Sequence, residues 1–248
     1  MVAPRRRSAG RATRPVRALV AGALALLAAG PWSLEPERAA EAKEHGKGRF
    51  EYGCRVQAPQ KFLERRSVVK HGMLDPRKHA RALRYLVERY GNAGDDVTTA
   101  YNAQSASEQA RTVTFMGRPI SIHARIAPAL ACVEKRIRKL CVGRSRYTAT
   151  AIGGFRSANT YRGPEISNHL LGIAIDIDPD RNPCCGCVDP WPSSPLCKIE
   201  ARDVYERTAL PKCWIRAFER FGFDWLGHDK LEDTMHFEFL GDPDRITK

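Results

Sequence analysis

The sequence predicts an α+β fold: a mainly antiparallel sheet flanked by helices. Three observations predict it. Helical and strand-like segments come mixed, with no regular strand–helix–strand alternation. Residues 173–178 and 235–239 alternate in polarity one by one, as half-buried strands do. Apolar stripes of helical period recur three times, in 76–90, 128–142 and 211–221.

Taken in order, residues 1–42 stand apart from the fold. Six arginines from Arg5 to Arg17 precede an uncharged Ala/Leu-rich run over 18–30. That run has 13 residues, short of the about 20 needed to span a bilayer. With small residues at Ala40-Glu41-Ala42, the segment reads as an export signal. An uncleaved N-terminal anchor is the alternative, and would be the chain's one tie to a membrane. Arg6-Arg7 hints at twin-arginine export, and no cysteine lies where a lipid anchor would need one. The expected location is periplasm, cell envelope or extracellular space.

Residues 43–109 read as a linker and helical lead-in. Residues 43–74 are polar and poorly periodic. Asp75-Pro76 then opens a helix, with Asp as N-cap, Pro in the first turn and Gly91 closing the end. Leu83, Leu86, Val87 and Tyr90 form its buried stripe, and 92–109 reads as a loop. The helix is expected to dock on the core of the main domain, with a separate wall-binding or inhibitory segment as the alternative for 43–109. Residues 110–248 form the main domain. A hairpin is expected from 112–115 and 120–122 around Met116-Gly117-Arg118-Pro119. A helix follows from Pro128 to Gly143 with Leu130, Val133, Ile137 and Leu140 inward. A strand over 147–152 runs into Gly153-Gly154, and a last helix from Pro211 to Gly222 buries Trp214, Ile215, Phe218 and Phe221.

The formal net charge is +13, of which residues 1–42 carry +4. The remaining basic charge is scattered and no nucleic-acid motif accompanies it, so nucleic acid is not an expected partner. Weak attraction to polyanions is. All eight cysteines lie beyond the leader, an even count that favours disulfides in an exported chain. Roughly a hundred pairings are open to them. One is argued against: Cys132 and Cys141 fall in one helix, about 13 Å apart along its axis, too far to bridge. Cys184-Cys185-Gly186-Cys187 with Cys197 reads as a stapled loop among prolines, with a second metal cluster as the alternative.

Chemistry concentrates in Ser167-x-His169-x-x-Gly172-x-Ala174-x-Asp176 and in Asp233-x-x-His236. Two imidazoles and a carboxylate are a donor set with one position left open, as a catalytic zinc requires. Asp233 is a spare carboxylate able to take a proton from water. Alone, either histidine would read as a hydrogen-bonded structural residue. Asp178 is a rival ligand on the same strand face.

The two strings together resemble the D-alanyl-D-alanine carboxypeptidase family of zinc peptidases, which includes VanY-type carboxypeptidases and phage endolysins cutting between L-alanine and D-glutamate. The resemblance extends over roughly 110–240, taking in Ile122-His123, Ala127-Pro128-Ala129-Leu130 and the Gly153-Gly154-Phe155 turn. It implies a hedgehog/D,D-peptidase-like fold with the zinc site on the sheet face, one catalytic Zn2+ held by His169, Asp176 and His236, and Asp233 as general base. Glu238 is implied as a supporting partner of His236. Arg156, or else Arg162, is implied as the arginine that holds the substrate or its oxyanion, and Ser167 as a further substrate contact.

The implied activity is hydrolysis of amide bonds in the peptide stem of peptidoglycan, foremost as a D-Ala-D-Ala carboxypeptidase. Endopeptidase cleavage of the stem or a cross-link is the alternative. A non-catalytic zinc module that binds cell wall is the competing class, since a fold alone does not establish catalysis.

Overall fold

The computed structural model describes residues 48–161, 165–187 and 191–248. The leader and Arg162 lie outside them. The described residues form one contact-dense unit. Among the described residues, no helix is long and apolar enough to cross a membrane.

Among the described residues ten strands, all paired antiparallel, are mixed with helices in no regular alternation, as the α+β expectation requires. Two small hairpins come first, β1 (Phe50–Glu51) with β2 (Cys54–Arg55) and β3 (Val69–Lys70) with β4 (Met73–Leu74). The hairpin of β5 (Ala110–Phe115) and β6 (Arg118–His123) follows. The central sheet has the order β7–β8–β10–β9, from β7 (Ile152–Gly153), β8 (Ala174–Ile177), β9 (Phe223–Trp225) and β10 (His236–Phe239).

One face of this sheet carries Ile175, Ile177, Phe237 and Phe239 into the main core. Phe237 stacks on Phe218 of the helix Lys212–Glu219 at 4.1 Å between ring centres. That helix lies against the helix Ala127–Leu140, and the Cys141–Cys213 disulfide joins their ends. Leu140 is a correction: it is 47% exposed, because the buried stripe ends at Ile137.

The opposite face carries Asp176, His236, Glu238 and Asp224, yet these too are buried. The segment 48–109 covers part of it. Leu63, Val68, Leu83 and Leu86 close, with Glu238, a cavity of about 50 Å3. The same segment is stitched to the core by the Cys54–Cys132 disulfide. The stretch expected to be linker and lead-in is therefore one wall of the sheet. Within it the helix Pro76–Tyr90 has the expected cap, Asp75 accepting from the backbone N–H groups of Arg77 and Lys78. The expected loop 92–109 contains the short helix Asp96–Tyr101, capped by the Asp95 carboxylate on the Thr98 N–H.

The expected strand 147–152 shrinks to β7. The Asp178 carboxylate accepts hydrogen bonds from the backbone N–H groups of Thr150 and Ala151 and from the hydroxyls of Thr150 and Tyr147. A side chain thus takes the donors that a neighbouring strand would otherwise have paired.

Candidate metal centre

Asp176 on β8 and His236 on β10 are direct cross-strand partners, so strand register alone puts their side chains side by side. His169 arrives from the turn before β8. The Ser167 carbonyl accepts from the Leu170 N–H and the His169 carbonyl from the Gly172 N–H. Gly172 has a φ of 66° and a side chain there would press on the His123 backbone. The turn therefore depends on glycine to bring His169 against the sheet.

The three groups meet closely. One donor atom from each of His169, Asp176 and His236 lies within 4.8 Å of the other two. His236 Nδ1 is 2.8 Å from Asp176 Oδ1 and 3.2 Å from His169 Nε2. The outer nitrogens are held from behind: His169 Nδ1 by the Gly154 carbonyl at 2.6 Å, His236 Nε2 by Glu238 at 3.0 Å. Such backing fixes which nitrogen faces inward. All three residues are at most 7% exposed.

Electrostatics follow from this packing. Burial alone would raise the Asp176 carboxyl, but hydrogen bonds and positive charge from His169 and His236 hold it well below the usual range. Burial lowers His169 despite Asp176. Burial also opposes a charge on His236, yet its position between Asp176 and Glu238 pushes it well above its ordinary value. The pocket favours cations, and one already reaches in. The Arg156 guanidinium contacts both the Asp176 carboxylate and His169 Nε2. Two imidazole nitrogens, a carboxylate and a guanidinium drawn among them are the chemistry expected where a metal cation fits.

Asp233 lies beside this cluster; its carbonyl accepts from the His236 N–H. Its Oδ1 is buried without a hydrogen-bond partner. Burial pushes its carboxyl up to about 7, against the pull of His236 and with the push of Asp176 and Glu238. An orphaned carboxylate oxygen beside a cation-favouring pocket is poised to meet a proton donor.

The other expected residues fall as follows. Ser167 is buried, and its hydroxyl accepts from the His169 N–H, which makes it part of the turn. Asp178 leaves the strand with a φ of 43° and serves the 147–151 segment, so Asp176 alone of the two faces the histidines. All eight cysteines are paired, as Cys54–Cys132, Cys141–Cys213, Cys184–Cys187 and Cys185–Cys197. The 184–197 loop is stapled, and no disulfide joins Cys132 to Cys141.

Two supports of the site have roles that only the structure shows. Gly154 makes the loop fit: a Cβ there would lie 2.1 Å from the Ser121 carbonyl oxygen. Arg65 ties Glu165, before the His169 turn, to Asp229, before Asp233, at 2.7 and 2.8 Å. The glycine doublet was a readable signal for the first. Nothing local in the sequence marks the second.

Comparison of the chain with curated proteins and with solved structures gives no match. A family model does match, over residues 161–239, about a third of the chain and narrower than the 110–240 suggested by the motifs. Arg156 precedes that segment; His169, Asp176, Asp233, His236 and Glu238 all fall inside it. The part of the chain that builds the three-donor cluster is thus similar to the D-alanyl-D-alanine carboxypeptidase family, a peptidase family.

Proposed function

We propose that this protein is an exported zinc peptidase that hydrolyses amide bonds in the peptide stem of bacterial peptidoglycan, foremost the terminal D-Ala-D-Ala bond. The observation that carries the proposal is the meeting of His169, Asp176 and His236 donor atoms within 4.8 Å, beside Asp233, whose carboxylate Oδ1 is buried without a partner. The four disulfides suit the oxidising compartment an exported protein works in.

His169 Nε2, an Asp176 oxygen and His236 Nδ1 would hold the zinc. When bound, zinc supplies Lewis acidity toward the scissile carbonyl and lowers the pKa of water to about 7. Asp233 takes the proton from the attacking water and returns it to the leaving amine. Gly154 and Glu238 keep the two imidazoles aimed. Arg156 presents a planar guanidinium to the substrate's terminal carboxylate or to the developing oxyanion.

A second reading, cleavage within the stem or a cross-link, is favoured by one observation. An open groove of about 470 Å3 between the helix Pro76–Tyr90 and the loops carrying Ser157, Asn159 and Leu170 is lined by none of the three donors but reaches Leu170, next to His169, and on this reading would take the remoter part of a longer substrate.

The test is mass spectrometry of a defined pentapeptide muropeptide incubated with zinc-loaded protein. Loss of one alanine is expected. A different fragment supports the second reading. Untouched substrate with zinc bound, for the pentapeptide and for a cross-linked muropeptide alike, overturns hydrolysis and leaves a wall-binding module.

A further inference from the structure

The loop Cys184-Cys185-Gly186-Cys187 lies directly on the segment that carries Asp233. Cys184 and Asp233 form an antiparallel bridge. The Gly186 N–H donates to the Leu231 carbonyl at 2.6 Å, the Cys185 N–H to Glu232 at 3.2 Å, and the Thr234 N–H to Pro183 at 3.2 Å. A side chain at Gly186 would press on the carbonyl oxygens of Lys230 and Leu231 at 2.7 Å. The contact is therefore close and made by backbone, and does not depend on the sulfur–sulfur bond. Both sulfurs of the Cys184–Cys187 disulfide and an Asp233 carboxylate oxygen lie within 4.8 Å of one another. The Asp233 Oδ1 has no partner. Cys187 is half-buried, which gives a reductant access.

We propose that the Cys184–Cys187 disulfide masks a second metal site, in which the two thiolates and the Asp233 carboxylate bind a thiophilic divalent ion once the bond is reduced. Two thiolates and a carboxylate oxygen, the sulfurs free to part once the bond between them is gone, suit zinc or cobalt, with a fourth position for water. Reduction by a phosphine cleaves the S–S bond and yields two thiols, while the phosphine takes up a water oxygen to become its oxide. Metal binding then releases the two thiol protons to solvent. The Cys185–Cys197 bridge contributes no donor and anchors the turn to the helix Pro195–Lys198. A consequence that rests on Asp233 being the catalytic base is that an ion held there removes the proton acceptor, so that reduction switches hydrolysis off.

The test is equilibrium binding of Co2+ to the full chain before and after phosphine treatment, read by metal content and by the near-ultraviolet thiolate-to-cobalt band. Oxidised protein is expected to bind one ion without that band, and reduced protein two ions with it. Cys184→Ser with Cys187→Ser should abolish the band, whereas Cys185→Ser with Cys197→Ser should keep it. Asp233→Asn, which leaves every cysteine in place, should weaken the thiolate-bound ion at least tenfold. Reduced wild-type protein without the band, or a band that survives the Cys184/Cys187 pair of substitutions, overturns the proposal. An oxidised chain that binds no ion counts against the three-donor centre instead, because the band reports thiolates alone.

Discussion

Asp233 and His236 are three residues apart, and their substitution separates two tasks. Asp233→Asn is expected to keep zinc and to lower kcat by about 10^2 to 10^4-fold, the range general-base catalysis supplies. His236→Ala is expected to lose both zinc and turnover. Metal content measured beside hydrolysis distinguishes them, and an Asp233→Asn protein with near-normal turnover would sink the assignment. The base works ionised, so activity should rise with pH. With its carboxyl pushed up to about 7, and a bound cation pulling it lower, the acid limb of kcat should fall at or below pH 7. Most of these side chains were legible in the sequence, because a ten-position string and a short distal one fix residue types at set spacings. The groups behind them were less so. The Gly154 carbonyl on His169 and the serine hydroxyl inside the turn are set by tertiary approach, so Ser167, expected as a substrate contact, instead holds the His169 turn.

Among the elements, the loop from β7 to Arg156 and the β9–β10 pair carry the sharpest predictions. Gly154→Ala puts a Cβ against the Ser121 carbonyl and Ile120, and should cost about 1–3 kcal/mol of stability as overpacking does. Denaturant unfolding would measure it, and weaker metal binding should accompany it because the Gly154 carbonyl moves. On β9, Asp224 sits opposite Glu238, with the Arg66 guanidinium 3.5 Å away. Burial pushes its carboxyl up to about 7. A raised acid pKa means the folded state holds the proton more tightly. Its contribution is therefore full below pH 4 and is lost as pH rises through 7. Asp224→Asn should flatten that fall and gain up to about 4 kcal/mol at pH 8; unchanged pH dependence of the unfolding midpoint would refute it. Helices with strong stripes and caps were readable over almost their whole length. The short helix Asp96–Tyr101 was not, because six residues make too few turns to show a period. The 147–152 strand was over-read because alternation cannot reveal that the Asp178 side chain takes its hydrogen bonds.

For the whole molecule, the two long-range disulfides count most. Cys54–Cys132 and Cys141–Cys213 close loops of 78 and 72 residues. Each restricts the unfolded chain by on the order of 4 kcal/mol. Cys54→Ser with Cys132→Ser should lower stability by that order and loosen the 48–109 wall over the sheet, read by denaturant titration and by hydrogen exchange in the helix Pro76–Tyr90. A loss confined to the first hairpin would mean that the wall is held by packing alone. The α+β class came from mixed periodicities. Docking of the helix Pro76–Tyr90 on the main domain was expected; that the stretch before it also encloses the sheet was not, since polar, weakly periodic sequence reads as linker until Leu63 and Val68 are seen against Glu238.

The first of these bridges changes what a protease can do to this chain. Ala103 and Gln104 are exposed between the two halves of the lead-in. A cut there falls inside the span from Cys54 to Cys132, so both fragments remain one covalent molecule, with all three donors of the centre on the larger piece. Damage to the backbone and loss of the protein are thus separate events: a nicked molecule would run as a single species until its disulfides are reduced, and only then fall into two.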